Sequence, residues 1–395
     1  MSLENIRQSA IEQARAIYGI SETPQVVISP YRFNPLGAHV DHQGGSVLAR
    51  TLDQYTILVY WPNPESRCIN LTTDPHWSHT STQFEPGYVN KNTDNWIRYA
   101  QASAASINQQ QELKTGITGY VTGTLVGAGL SSSASVVLAY LYALASCNSL
   151  ALTDKLAIEL SRQVENNHLG LNNGIQDQMS IVLGKSGAMS ELNMSTVSVK
   201  YINDPPDTRD ISWVICYSGF DRELLGSSYN TRVAECQQAA IALDPDASIL
   251  GDLNRKPFDD NLTRALAHLA PPLARRAQHY FTETQRVEHG AQAWADGRWK
   301  LFGELMNASC HSSINYYECG SEPLIALHEI ARQTPGVYGS RFGGGGYGGC
   351  LIMLVQAQDA QTIADSVLAQ YLSRYLDRKT ARSFVAQTEN GVRIT

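Results

Sequence analysis

The chain has little charge and no surplus of positive charge. Of 395 residues, 17% are charged, with 30 Lys and Arg against 37 Asp and Glu, for a formal net charge of −7. A mildly acidic chain carries no electrostatic footprint for nucleic acid. It does not exclude an anionic substrate, because a local site can be positive within a negative molecule. Long hydrophobic runs are also missing: the longest largely apolar stretch, Ala134 to Ala145, has 12 residues, whereas a membrane span needs roughly 20. The first residues, MSLENIRQSAIEQARAIYGI, lack a basic segment followed by an apolar one, so a secretory signal is not expected and a cytoplasmic location is. Cysteine is present but unpatterned. The seven residues are odd in number and form no CxxC, which argues for reduced thiols rather than a disulfide framework. His39 and His42 are three apart, as are His76 and His79, but no cysteine lies near to complete a zinc set. Repeats and low-complexity tracts are absent.

The composition that remains suits a folded globular protein: 43% of residues are hydrophobic. The length exceeds one compact core and predicts two domains. Ile6, Ala10, Ile11, Ala14 and Ile17 recur at helical spacing. VVISPYRF, YTILVYW and TGITGYVTGTL read as strands, and Ala134 to Ser146 and Asp154 to Asn166 as helices. Strands return after Gly187. Pro272 to Met306 reads as mostly helical, and Asp359 to Leu376 as a closing helix. Mixed elements in both halves predict an α+β fold. The polar, proline-bearing stretch NDPPDTRD (203–210) is the expected linker, giving domains 1–205 and 206–395.

Glycine is concentrated in three places: 37–45, 123–129 and 336–349. In the second, VGAGLSSSA (126–134) runs directly into an apolar helix. Glycines allow close backbone approach, serines cap helix ends, and a helix N-terminus presents free amides and a positive dipole to an anion. A plain serine-capped turn is the bland alternative, but GAG followed by LSSSA favours phosphate binding. No GK[ST] closes the loop, so it is not a Walker A sequence.

PYRFNPLGAHVDHQGG, GTLVGAGLSSSAS and YGSRFGGGGYGGCLIMLV, in this order, resemble the three motifs of GHMP kinases, and most nearly those of the galactokinase branch. The resemblance extends from about residue 28 to 355. Within the branch, PLGAHVDHQGG, NNHLGLNNGIQDQ, YNTRVAECQ, YYECGSEPLI and PGVYGSRF resemble galacturonokinase. It implies an N-terminal ribosomal-S5-like domain and a C-terminal ferredoxin-like domain. ATP, Mg²⁺ and a sugar would meet in the cleft between them, with transfer of the γ-phosphate to the anomeric hydroxyl.

The resemblance assigns roles residue by residue. Asp177, in GIQDQ, matches the catalytic aspartate, which orients the anomeric hydroxyl and accepts its proton. Arg32 matches an arginine that would keep Asp177 ionised and stabilise charge on the moving phosphoryl group. Gly127, Gly129, Ser131, Ser132 and Ser133, with Gly344 and Gly345, would hold ATP. Glu165 and a serine would hold Mg²⁺, with Ser133 on the metal and Ser132 on phosphate, or the reverse. His39, Asp41 and Tyr229 match sugar-binding residues, while His42 stands where the branch has a tyrosine. Trp96 resembles a tryptophan near the adenine. A monomer or weak homodimer is expected, with no nucleic-acid or membrane partner.

One departure bears on the substrate. Galactokinases read GEH where this chain reads Gly37-Ala38-His39, and the family glutamate contacts the C6 hydroxyl of galactose. Two carboxylates about 4 Å apart repel by roughly 4 kcal/mol at an effective dielectric near 20, on the order of a thousandfold in affinity. Alanine removes that repulsion from a sugar bearing a C6 carboxylate, so the expected substrate is D-galacturonate. Galactose is the alternative. A non-catalytic sugar and ATP sensor is the other, but the intact GLSSSAS and Asp177 argue against it.

Overall fold

The computed structural model describes residues 2–75, 80–90, 92–93, 95–125, 129–170, 173–220, 228–253 and 260–395. Gly127, His76 and His79 therefore lie outside the described residues. The first helix, Leu3–Tyr18, is capped as its sequence suggests: the Ser2 side chain accepts from the Asn5 amide, and Gly19 closes it in the left-handed region at φ 67°. Ala10, Ile11 and Ala14 are buried by the period read from the sequence, whereas Ile17 is 46% exposed.

Eight strands form one sheet: β1 (Gln25–Leu36), β2 (Ser46–Asn63), β3 (Ile69–Thr73), β4 (Ser81–Phe84), β5 (Gly116–Gly123), β6 (Ala188–Asn193), β7 (Ser198–Asn203) and β12 (Arg393–Ile394). The order is β12-β1-β2-β5-β3-β4, with β6 joining β2 to β7. Only the β3–β5 pairing in it is parallel. Helices Asn95–Gln110, Ser132–Cys147 and Asp154–Gln163 cover one face through Val137, Leu141, Ala157 and Leu160, and Leu3–Tyr18 packs with the other. The predicted helix Asp154 to Asn166 stops being α-helical at Gln163 and continues as a π-helical turn, Val164–His168, a form that recurs at functional sites.

The second sheet is antiparallel, in the order β11 (Arg382–Ala386), β8 (Ile211–Tyr217), β10 (Cys350–Gln356), β9 (Val337–Phe342). Helices Glu322–Gln333 and Ala360–Arg374 cover one face with Leu324, Leu327, Ile363 and Val367. The opposite face meets helix Trp299–Ser312 and β1 in a core of Phe33, Trp213, Trp294, Phe302 and Ile352. The single helical stretch read over Pro272 to Met306 is two helices, Pro271–Ala295 and Trp299–Ser312. Gly297, at φ 66°, turns the chain between them.

The expected linker lies between β7 and β8, and its Asp204 accepts from Trp294 Nε1 at 3.0 Å and pairs with Arg50. At the other end β12 returns to pair with β1, and Thr395 and Val26 exchange backbone hydrogen bonds of 2.9 and 3.2 Å. The two halves thus share both a core and an edge strand. Among the described residues no helix is long and apolar enough to cross a membrane.

Candidate active site

The pocket lies where β1, the turn after it, the helix Gln176–Val182 and the third glycine loop converge. Its wall is mostly polar, with Arg32, Asp177 and Arg341 lining it alongside Ala38, His39 and Asp41. Arg32 projects from β1 and is 2% exposed. Its Nε and Nη2 donate to Asp177 Oδ1 at 3.0 and 2.6 Å, and its Nη1 donates to the Gly343 carbonyl at 2.8 Å. The Arg32 amide donates to the Leu130 carbonyl at 3.1 Å. One residue therefore ties together the first strand, the serine loop, the helix Gln176–Val182 and the glycine loop. Asp177 sits in the first turn of its helix, where the helix end favours negative charge.

The serine loop departs from the simple capping expected of it. Ser131 stands at the N-cap of Ser132–Cys147 with φ 61° and makes no side-chain cap. Its hydroxyl donates to Asp177 Oδ2 at 2.5 Å instead. The helix's first internal backbone bond runs from the Ser135 amide to the Ser131 carbonyl, so the amides of residues 132–134 face outward. Behind them the two glycine loops touch backbone to backbone. A Cβ on Gly344 would lie 2.8 Å from the Gly129 carbonyl oxygen, and one on Gly129 3.3 Å from Gly349 Cα. Glycine at 129 and 344 keeps the second and third motifs in contact. Gly343 offers its carbonyl to Arg32.

The sugar-side candidates gather on the opposite wall. His39 adopts φ 55° and stacks on Tyr317 with ring centroids 4.0 Å apart and planes 8° apart. Asp41 lies against Gly174, where an added Cβ would come within 2.3 Å of its Oδ2. Burial, and then the charge of Asp177, push the Asp41 carboxyl up to about 6. Tyr229 opens the helix Tyr229–Leu243 and presents its edge to His42, with centroids 6.3 Å apart. His42, whose role was open, is held by Tyr317 Oη at 3.1 Å and Gln43 Nε2 at 2.9 Å. Burial lowers it to about 4, so it is neutral near pH 7.

Ala38 lines the pocket and is 4% exposed. Its amide and that of Gly37 donate to Glu283 Oε1 at 3.0 and 2.8 Å, and its carbonyl faces His279 Nε2 at 2.8 Å. Glu165 is 1% exposed, and its Oε2 accepts from Gln178 and Asn173 at 2.8 and 3.2 Å. Among the described residues no three His, Cys, Asp or Glu cluster as a metal cage. Trp96 packs with the core of the first sheet and donates to Thr80 Oγ1 at 3.0 Å. The sequence reading missed Asn34, Gln176 and Arg341, which also line the pocket. Gln176 donates to Asn34 Oδ1 at 2.9 Å. Arg341 was discoverable as a lone charge in an otherwise uncharged strand, VYGSRF.

Comparison with known proteins fits this geometry. Residues 98–185 match the GHMP kinases N terminal domain, 289–373 the GHMP kinases C terminal domain, and 15–62 the galactokinase galactose-binding signature. A galacturonokinase from Arabidopsis thaliana is 38% identical over 370 residues, covering 88% of this chain and 87% of that protein. The chain belongs to the GHMP kinases. A galactokinase from Limosilactobacillus reuteri is 31% identical, covering 87% of this chain and 88% of that one. The crystal structure of Lactococcus lactis galactokinase complexed with galactose superposes with a TM-score of 0.90 at 27% identity, covering 98% and 99% of the two chains. A mevalonate kinase structure, at 16% identity and a TM-score of 0.64, shares the fold. This GHMP kinase is an ATP-dependent sugar kinase that uses Mg²⁺. The two-domain α+β reading holds in this family fold.

Proposed function

We propose that the protein phosphorylates the anomeric hydroxyl of D-galacturonate, giving galacturonate 1-phosphate and ADP. The observation that carries this reading is Ala38 in the pocket wall, with its backbone fixed by Glu283 and His279, at the position where galactokinases place a glutamate. The A. thaliana relative, named for the same activity, supports it.

In this reading Asp177 receives the proton of the C1 hydroxyl as O1 attacks the γ-phosphorus and the bond to the ADP oxygen breaks. Arg32 fixes the Asp177 carboxylate and stabilises charge on the transferring group. His39, Asp41 and Tyr229 hold the ring hydroxyls. Ser131, Ser132, Ser133, Gly127, Gly129, Gly344 and Gly345 form the ATP cradle. Glu165 and Ser133 would hold Mg²⁺, since carboxylate and hydroxyl oxygens suit a hard cation. When bound, the ion neutralises phosphate charge. We place the enzyme in the cytoplasm as a monomer or weak homodimer.

A second reading, galactose as substrate, is favoured by the galactose-binding signature over residues 15–62. Initial rates of ADP formation with galacturonate, glucuronate and galactose decide between them. A higher kcat/KM for galacturonate is expected, and equal or better turnover of galactose overturns it. Sugar binding without ATP consumption would instead make the protein a sensor.

A further inference from the structure

We propose that Arg341 binds the C6 carboxylate of the sugar, so that the substrate supplies the counter-ion this buried cation lacks; the proposal rests on the galacturonate reading above. Arg341 is 4% exposed, and a guanidinium stays charged in proteins. Burying such a charge is costly unless it is paired. Among the described residues Arg341 makes no ion pair. Its Nε donates to the Phe342 carbonyl at 3.1 Å, and its Nη1 makes a long contact of 3.5 Å to Ser309 Oγ.

The acidic groups around it are already committed. Glu283 accepts from the Gly37 and Ala38 amides, from Ser309 Oγ at 2.6 Å and from Arg286 Nε at 2.6 Å. Three of those bonds fall on Oε1 and one, from Arg286, on Oε2, so the carboxylate is bonded directly to Arg286 and not to Arg341. Asp177 is paired with Arg32. Among the described residues Arg341 has no direct ion pair, and the Glu283 charge that acts on it from a distance is shared with Arg286.

Strand alternation aims the side chain at the pocket. On β9, Ser340 points away and bonds His328 Nδ1 at 2.8 Å. Arg341 therefore projects from the other face, where its cross-strand partner Ile352 belongs to the core shared between the halves. That face carries it into the pocket wall with Ala38. The chain Arg341–Ser309–Glu283–Ala38 sets the two residues in fixed relation. The planar fork of arginine matches a carboxylate with two parallel bonds. A neutral C6 group leaves the cation dry and unpaired, and polar sites reject ligands that cannot complete them by large factors.

The test is steady-state kinetics with Mg-ATP on galacturonate, its C6 amide and galactose, for wild type, Arg341→Gln and Arg341→Lys. The wild type is expected to favour the acid over the amide by about 100-fold or more in kcat/KM. Arg341→Gln is expected to bring that ratio within about tenfold, mostly through KM for the acid, while galactose, which cannot pair with the cation, gains rather than loses. Arg341→Lys, which keeps charge without the fork, is expected to lower the ratio by about tenfold. If Arg341→Gln fails to fold, judged by circular dichroism, the lysine variant decides alone: an unchanged acid-to-amide ratio overturns the proposal. Equal losses on all three sugars, or an unchanged ratio in a folded glutamine variant, overturn the Arg341 assignment and leave galacturonate as substrate. A wild type that prefers galactose overturns both.

Discussion

Arg32 and Arg341 occupy one pocket and are almost equally buried, at 2% and 4% exposure, yet their surroundings differ. Arg32 has its carboxylate within the chain and donates a further N–H to the Gly343 carbonyl. Among the described residues Arg341 bonds a carbonyl and a distant hydroxyl but no carboxylate, and Glu283 acts on it only from a distance. The Arg32 end is assembled before any ligand arrives, as chemistry common to every substrate requires. The Arg341 end is left incomplete, and an incomplete polar site discriminates between substrates. In the proposed reading the same residue type serves reaction at one end and selection at the other.

The strongest test of the Arg32 end is Asp177→Asn. It is expected to lower kcat by at least about 10³-fold while sugar affinity measured by calorimetry changes by less than about tenfold. A variant that keeps more than a tenth of wild-type kcat would show that the paired end does not do the chemistry. At the other end, Ala38→Glu is expected to cost galacturonate about 10²- to 10³-fold in kcat/KM. It is also expected to raise the apo melting temperature by a few degrees, because the new carboxylate pairs with Arg341. An unchanged substrate ratio would erase the distinction between the ends.

The smallest effect comes from Asp41, near Asp177. Its carboxyl is raised to about 6, first by burial and then by Asp177. The folded state therefore binds more protons than the unfolded between about pH 4 and 6, and stability from this group falls as pH rises through that window. The ionised form that accepts from sugar hydroxyls is lost in the opposite direction, so kcat/KM is expected to fall about tenfold per unit below pH 6. Burial lowers both His42 and His279 to about 4, so neither adds a limb near neutrality. A profile flat to pH 5 would remove Asp41 from sugar binding.

The glycine-rich motifs were legible because each combines a backbone requirement with neighbouring side chains of one chemistry. Arg32 and Asp177 could be named that way, and they meet as expected. Ser131 was legible as a loop residue but not as a partner of Asp177. Its positive φ and lost cap depend on a carboxylate 46 residues away. Arg341 stands out as a lone charge in its strand, but strand alternation says which face it takes and not what that face meets. Its burial arises from packing of β9 against helix Trp299–Ser312, where Gly303 and Gly339 come so close that neither tolerates a Cβ. The pinned linker and the return of β12 were likewise unreadable: one hangs on Asp204 finding Arg50 and Trp294, and the other on two residues that pair with a strand at the far end of the chain.

The pairing of β12 with β1 also bears on biosynthesis. The outer neighbour of the strand that carries Arg32, Arg393–Ile394, is made long after that strand. Until then β1 exposes an open edge, the part of a sheet most prone to join the wrong partner. A nascent chain stalled short of residue 393 would hold Arg32 on an unfinished sheet, where chaperones have a long interval to act.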